Sequence, residues 1–358
     1  GGGGGRVETR DRVLSRAPRG FPRIESATRP FRPGAFATCG ARGADKMEDR
    51  HVVQRDVGGI AGAHVVAVFD GHRGFECAEF AKNRFVDALV ARFARRVRDE
   101  DASSATNAEP SEDAPAEALR EAFLDVHAAF CAAHERASAT ADAENADASH
   151  ASASARRRFP GCAATAALVW GDYLYVANAG DCRAVLCRDD RDAADAAMVA
   201  MSEDHSAATN AAERARIESV AGPDAIRRVG GGDADENAAA ASYRVGPAGL
   251  AVTRALGDAD CSAYGVTAEP EVRRVRLTPR DAYVVVACDG LWDVVSAPEV
   301  GAMLRDTVKE PSMCAKRLGS EALTRMSGDN ITVIVAFLKD VDTAETVTWE
   351  RSFRSALT

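Results

Sequence analysis

CAATAALVWGDYLYVANAGDCRAVLCR, residues 162–188, sets three apolar runs in close succession: 162–170, 172–179 and 182–188. The breaks between them hold only Gly and Asp, which are turn residues, so the stretch reads as an antiparallel meander. Upstream, HVVQRDV (51–57) and AHVVAVF (63–69) flank Gly58, Gly59 and Gly62 and read as a hairpin. Between these strand blocks, residues 74–98 place Phe75, Ala78, Phe85, Leu89 and Phe93 at helical spacing. A polar stretch (99–115) leads to a second helix over about 116–136, with Leu119, Phe123, Val126 and Phe130 on one face. Residues 137–158 are low in complexity and read as a solvated insertion.

Downstream, residues 208–222 form a helix stopped by Gly222 and Pro223. GGGDADENAAAAS (230–242) is loose enough for a mobile flap, within a flap region of about 222–242. AYVVVACDGLWDVV (282–295), helices near 298–309 and 312–326, and NITVIVAFL (330–338) complete the pattern. Strands and helices come in blocks instead of strict alternation, which predicts an α+β fold of packed antiparallel sheets with outer helices.

The 358 residues are 46% hydrophobic, enough to bury a full core; length alone suggests two domains, and one large sandwich is also possible. A net charge of -9 argues against nucleic acid as a main partner, because that needs a concentrated basic surface. Nine cysteines without a C-x-x-C pair suggest reduced thiols in an intracellular protein, cytoplasmic or nuclear, instead of a disulfide framework or zinc site. Charges interrupt every apolar stretch well short of a membrane helix, so no membrane partner is expected. Residues 1–34 begin with glycine, are rich in Arg, Pro and Gly, and read as a disordered lead-in; Glu8, Asp11 and Glu25 weigh against an organelle-targeting segment.

Acids recur where apolar runs leave the core. Asp70 ends VAVFDG, Asp181 follows LYVANAG, Asp289 ends VVVACDG, and Asp329 precedes the last strand. Glu48 and Asp49 stand just before RHVV, and Asp293 lies four residues past Asp289. Each alone reads as a turn or helix cap. Together they read as a metal site: hard divalent cations want carboxylate, carbonyl and water oxygens, and an uncompensated carboxylate cluster would repel itself.

MED, DGHRG, GDCRAVL, SEDH, LAVTRALGD, ACDGLWDV and DNITVIV, in this order, closely resemble the metal-dependent protein phosphatases of the type 2C serine/threonine family. The resemblance spans roughly 36–338 and implies a four-layer α-β-β-α sandwich, a catalytic domain over 35–340 and a tail over 341–358. It implies two Mn²⁺ or Mg²⁺ ions bridged by Asp70, with the Gly71 carbonyl and Glu48 on one ion and Asp289 and Asp329 on the other. Asp181 and Asp293, with Asp289, match a weaker third position. Asp49 would orient a metal-bound water, His72 would protonate the leaving oxygen, and a water between the cations would be the nucleophile. Phosphorylated proteins are the implied substrates, acted on by a monomer. His205 and Asp258 match family motifs but read as hydrogen-bonded scaffold.

The sequence departs from the family at the cation that binds the substrate phosphate, usually an arginine three residues before the Met of MED; here that position is Ala44. If 42–48 is a strand, Arg42, Ala44, Lys46 and Glu48 share a face, so Arg42 or Lys46 would replace it. Arg42 is the stronger candidate, because a guanidinium grips phosphate bidentately. Arg73 replaces a glycine of the usual D-G-H-G-G, and Ala163 stands where a hydroxyl is common. The competing reading is a catalytically weakened pseudophosphatase that acts as a phosphoprotein-binding adaptor.

Overall fold

The β3 strand, Ala63–His72, shows why this chain builds layers. Val65, Ala67 and Phe69 project to one side into a core shared with helices, while Val66 and Val68 project to the other into a core shared with a second sheet. A strand apolar on both faces must be covered on both. The computed structural model describes residues 21, 22, 24, 29–102, 113–144, 159–188, 197–229, 242–305, 307 and 310–340.

In chain order the elements are β1 (Arg32–Thr38), β2 (Arg50–Gln54), β3, α1 (Glu76–Ala102), α2 (Ala114–Glu144), β4 (Gly161–Trp170), β5 (Tyr173–Ala179), β6 (Arg183–Arg188) and β7 (Ala197–Ala200). Then follow α3 (Ala211–Ala221), β8 (Ile226–Val229), β9 (Ser242–Val245), β10 (Leu256–Gly257), β11 (Glu271–Arg276) and β12 (Asp281–Ala287). The chain closes with α4 (Asp289–Trp292), α5 (Ala297–Arg305), α6 (Pro311–Thr324) and β13 (Ile331–Phe337).

One sheet runs β11-β5-β4-β3-β2, with β10 on β4, and the other runs β1-β13-β12-β6-β7; all the pairings are antiparallel. Phe85, Leu89, Phe93, Leu119 and Phe123 of α1 and α2 cover the first sheet. Leu318 of α6 and Leu291 and Trp292 of α4 cover the second, against Val285 and Val333. The result is the expected four-layer sandwich. Each large apolar side chain fully buried this way contributes roughly 1.5–3 kcal/mol.

Several boundaries differ from the sequence reading. The 162–188 stretch is a meander only over β4 and β5; β6 leaves for the other sheet, where it pairs with β12 and β7. Gly180, at φ +125, turns the chain between them, and the full burial of β4 shows why apolar runs alone cannot tell which sheet they join. The lead-in contributes to the fold before residue 35: Phe21 packs against Phe93 and Trp170, and β1 starts at Arg32. The proposed insertions are partly helical, since α1 reaches Ala102 and α2 runs from Ala114 to Glu144. Residues 42–48 are not a strand but two single helical turns, Gly40–Arg42 and Ala44–Lys46. The flap region contributes the paired strands β8 and β9, while residues 230–241, the core of the expected mobile flap, lie outside the described residues. All nine cysteines are free, seven of them buried.

Candidate active site

The pairing registers bring the acids together. Asp70 is aligned with Ala163 near the start of β4, and Ala164 with Ala179 at the end of β5, so Asp181 emerges next to Asp70. In the facing sheet Ala287 pairs with Val333, which sets Asp289, two residues past β12, beside Asp329, two residues before β13. Asp70, Asp181, Asp289 and Asp329 thus line one cleft of about 430 Å³ between the two sheets. Arg42, Gly71 and His72 line the same cleft.

Two glycines let the strands come this close. A Cβ on Gly71 would sit 2.6 Å from the carbonyl oxygen of Glu48, and a Cβ on Gly161 would sit 2.0 Å from Asp258 Oδ2. Glu48 is fixed at three points: its amide donates to Asn330 Oδ1 (2.8 Å), its Oε1 accepts from the Gly74 amide (2.7 Å), and its Oε2 accepts from Arg42 (3.0 Å). Asp49 is buried behind Asp70 and accepts from Thr332 Oγ1 at 2.7 Å. One ligand atom each of Asp49, Asp70 and Cys288 lies within 4.8 Å of the others. Asp293 sits exposed just past α4, its amide bonded to the Asp289 carbonyl.

The electrostatics are those of a cluster that lacks positive charge. Lost hydration, then Asp49, Asp289 and the other acids, hold Asp70 well above the ordinary carboxylate range. Burial and the neighbouring acids do the same for Asp289, and burial lifts Asp181 to about 6. Asp49 is likewise raised by burial. Asp49 Oδ1 and Asp289 Oδ1 are buried among the described residues without a hydrogen-bond partner. Crowded carboxylates and orphaned acceptor oxygens fit hard divalent cations. Burial and the same acids push the Cys288 thiol up.

His72 is held differently. Its Nε2 lies 2.6 Å from Asp258 Oδ2, and Asp258 is fully buried. Burial alone would lower the His72 pKa, but the Asp258 charge and hydrogen bond outweigh it and the net shift is upward. Arg73 joins the same carboxylate at 3.1 Å and grips Asp260 through two further bonds. Its backbone is left-handed, φ +62, which explains the glycine usual at that position. The ion pairs tie this strained residue down. Ala163 also has a steric reason, since a Cβ on Gly180 would stand 2.4 Å from its own Cβ.

Arg42, not Lys46, reaches the cleft. Its Nε lies 3.0 Å from Asp329 Oδ1 and its Nη1 3.0 Å from Glu48 Oε2, while Lys46 is exposed at the end of the second turn. A helical turn, and not the strand alternation expected, places Arg42 there. His205 and His127 are scaffold: their Nδ1 atoms accept from the amides of Gly180 (3.3 Å) and Gly257 (3.1 Å). Sequence reasoning missed Asp258 as the partner of His72, and also Arg73, Asn330 and Thr332. Only the spacing of RALGD hinted at the first; the others are ordinary residues until the strands are paired.

Comparison with known proteins places this chain. The family model described as Protein phosphatase 2C matches residues 34–331, so the chain belongs to the metal-dependent type 2C protein phosphatase family. It is 39% identical over 316 residues to a protein kinase and PP2C-like domain-containing protein of Arabidopsis thaliana, covering 88% of this chain and 40% of that protein. An Oryza sativa subsp. japonica protein of the same description is 38% identical, again with 40% of its length covered. The chain therefore spans about 40% of the length of these two relatives. It is 33% identical to the probable protein phosphatase 2C 13 of Arabidopsis thaliana, covering 87% of this chain and 72% of that one. The fold matches a serine-threonine phosphatase 2C from Toxoplasma gondii with a TM-score of 0.67 at 20% identity, covering 90% of this chain and 97% of the other.

Proposed function

We propose that this chain hydrolyses phosphoserine and phosphothreonine in phosphorylated proteins, with Mn²⁺ or Mg²⁺ as cofactor. The observation that carries the reading is the convergence of Asp70, Asp181, Asp289 and Asp329 on one cleft whose wall holds a carboxylate-paired histidine. Asp70, the Gly71 carbonyl and Glu48 would hold one ion, Asp289 and Asp329 the other, and Asp181 with Asp293 a weaker third. When two such ions are bound, the chemistry they supply is neutralisation of phosphate charge and activation of water. Asp49, anchored by Thr332, has a free oxygen that would orient such a water. His72 keeps Nε2–H on Asp258, so the proton for the leaving seryl or threonyl oxygen is carried on Nδ1. The test is hydrolysis of a phosphothreonine peptide with Mn²⁺, with Mg²⁺ and with EDTA, beside Asp289→Asn. Metal-dependent phosphate release, lost in the variant, supports the reading; no turnover in folded, metal-loaded protein overturns it.

Arg42 takes the role that Ala44 has lost and binds the substrate phosphate, exchanging its two carboxylate partners for it. Arg42→Ala is expected to raise KM for the peptide by roughly tenfold or more, the worth of a charge-assisted hydrogen bond of about 1.5–3 kcal/mol. Lys46→Ala should leave it unchanged. Equal effects of the two substitutions would remove Arg42 from this role. The adaptor reading has Ala44 in its favour and predicts binding of the same peptide without release of phosphate.

A further inference from the structure

The β8–β9 hairpin sits at the edge of the cleft and is sided. Ile226 is aligned with Val245, and these residues pack with Tyr243 into a small core formed with Ile217 of α3. Arg214 lies over the Tyr243 ring, 4.6 Å from its centroid, on that same side. Alternation puts the next aligned pair, Arg227 and Arg244, on the opposite face, together with Val229 and Ser242. That face is the one turned to the cleft, because Arg244 lines it together with Asp70 and His72.

Two arginines directly opposite each other in a two-stranded sheet repel, which destabilises the hairpin unless an anion lies between them. Among the described residues no carboxylate pairs with either; Arg227 donates only to the Gly246 carbonyl, at 3.2 Å. The other arginines that line the cleft are neutralised: Arg73 by Asp258 and Asp260, and Arg42 by Glu48 and Asp329. We infer that Arg227 and Arg244 form an anion subsite beside the catalytic cleft, and that it selects substrates carrying a second negative group, a carboxylate or a phosphate, close to the phosphoresidue being hydrolysed. The inference rests on the phosphatase reading and deepens it to a substrate class. Arg42, paired with Glu48 and Asp329 in the same cleft, is the cation for the reacting phosphate, which leaves the pair for the flank of a peptide.

The experiment compares three phosphothreonine peptides of equal length, with a neutral flank, a glutamate flank and a flanking phosphoserine. They are given to the full chain with Mn²⁺ as wild type, Arg244→Ala, Arg244→Lys and Arg227→Ala. For wild type, KM is expected to be about three- to tenfold lower for a charged flank than for the neutral one, an advantage that shrinks with salt. In Arg244→Ala this ratio should fall toward one, Arg244→Lys should keep part of it, and Arg227→Ala should reduce it. An advantage for glutamate marks a carboxylate-accepting subsite, and an advantage for phosphoserine alone marks a phosphate-selective one. Equal KM values for all three peptides with wild type, or a ratio that survives both alanine substitutions, would overturn the subsite. If wild type hydrolyses none of the peptides, it is the phosphatase reading that fails. The Kd ratios of the same peptides, measured by fluorescence anisotropy, then decide the subsite by the same criteria.

Discussion

Asp70→Asn is expected to abolish metal-dependent turnover, lowering kcat/KM by roughly a thousandfold or more, while making the metal-free protein more stable. The two effects have one cause. Asp70 is the acid on which the charges of Asp49, Asp289, Asp181 and Asp329 converge, so it is the centre of any cation site and the worst-placed charge without one. An amide keeps the shape and removes the repulsion. Thermal melts with EDTA and with Mn²⁺ check this: wild type should gain stability from Mn²⁺ and the variant should not, yet the variant should melt higher in EDTA.

The pH dependence follows with a definite sign. Acids raised in the folded state bind more protons folded than unfolded, so stability falls as pH rises through the window between the two values. For Asp181 that window runs from the ordinary carboxylate value of 3.8 to about 6, and Asp70 and Asp289, raised in the same direction, act with the same sign. Metal-free protein should therefore be more stable near pH 5.5 than at pH 7.5, and Mn²⁺ should reverse the order. Glu213 works oppositely, since Arg254, Arg216 and Thr253 outweigh its burial and hold it below the usual range. Its stabilisation is present above its unfolded value and is lost only at more acidic pH, outside that comparison. A metal-free melting temperature that rises from pH 5.5 to 7.5 would contradict the account of Asp70.

The second large effect is expected at His72. His72→Gln should lower kcat for a peptide by about 10²–10⁴-fold, the span for a lost general acid, with a smaller loss for a substrate whose leaving group needs no proton, such as an aryl phosphate. Asp258→Asn separates holding from donating. With the carboxylate gone, His72 loses the charge that raises its pKa, so the alkaline fall in rate should move to lower pH while Mn²⁺ affinity is kept. The site also loses one of Arg73's two carboxylate partners, Asp260 remaining, which costs some stability and makes a melt a necessary control. Identical pH profiles for wild type and Asp258→Asn would show that Asp258 is only scaffold.

How much of this was legible beforehand differs residue by residue. Each strand-end acid alone reads as a turn or cap; it was their joint occurrence that pointed to a metal site, and the ordered motifs around them that carried the family resemblance. The helix over 74–98 was legible because a 3.6-residue period of apolar side chains has few other uses, and the helix over 208–222 was marked by its stop at Gly222 and Pro223. Their ends were less so: α2 runs to Glu144 because an alanine-rich polar stretch is both a good helix and a plausible linker, and only packing separates the two. The exit of β6 to the second sheet could not be read, since strands buried on both faces carry no alternation to tell one sheet from the other.

The sequence by itself determined the class of fold, the family and the set of acids, because these depend on residue type, local period and order along the chain. Tertiary structure alone decided which partners those residues have. Asp258 meets His72 across 186 residues, Thr332 meets Asp49 across 283, Arg42 reaches Asp329 from a turn, and Arg227 faces Arg244 only after β8 and β9 have paired. The reason is that pairing register and sheet stacking are settled by packing of distant apolar surfaces, to which each local stretch of sequence contributes only its own face.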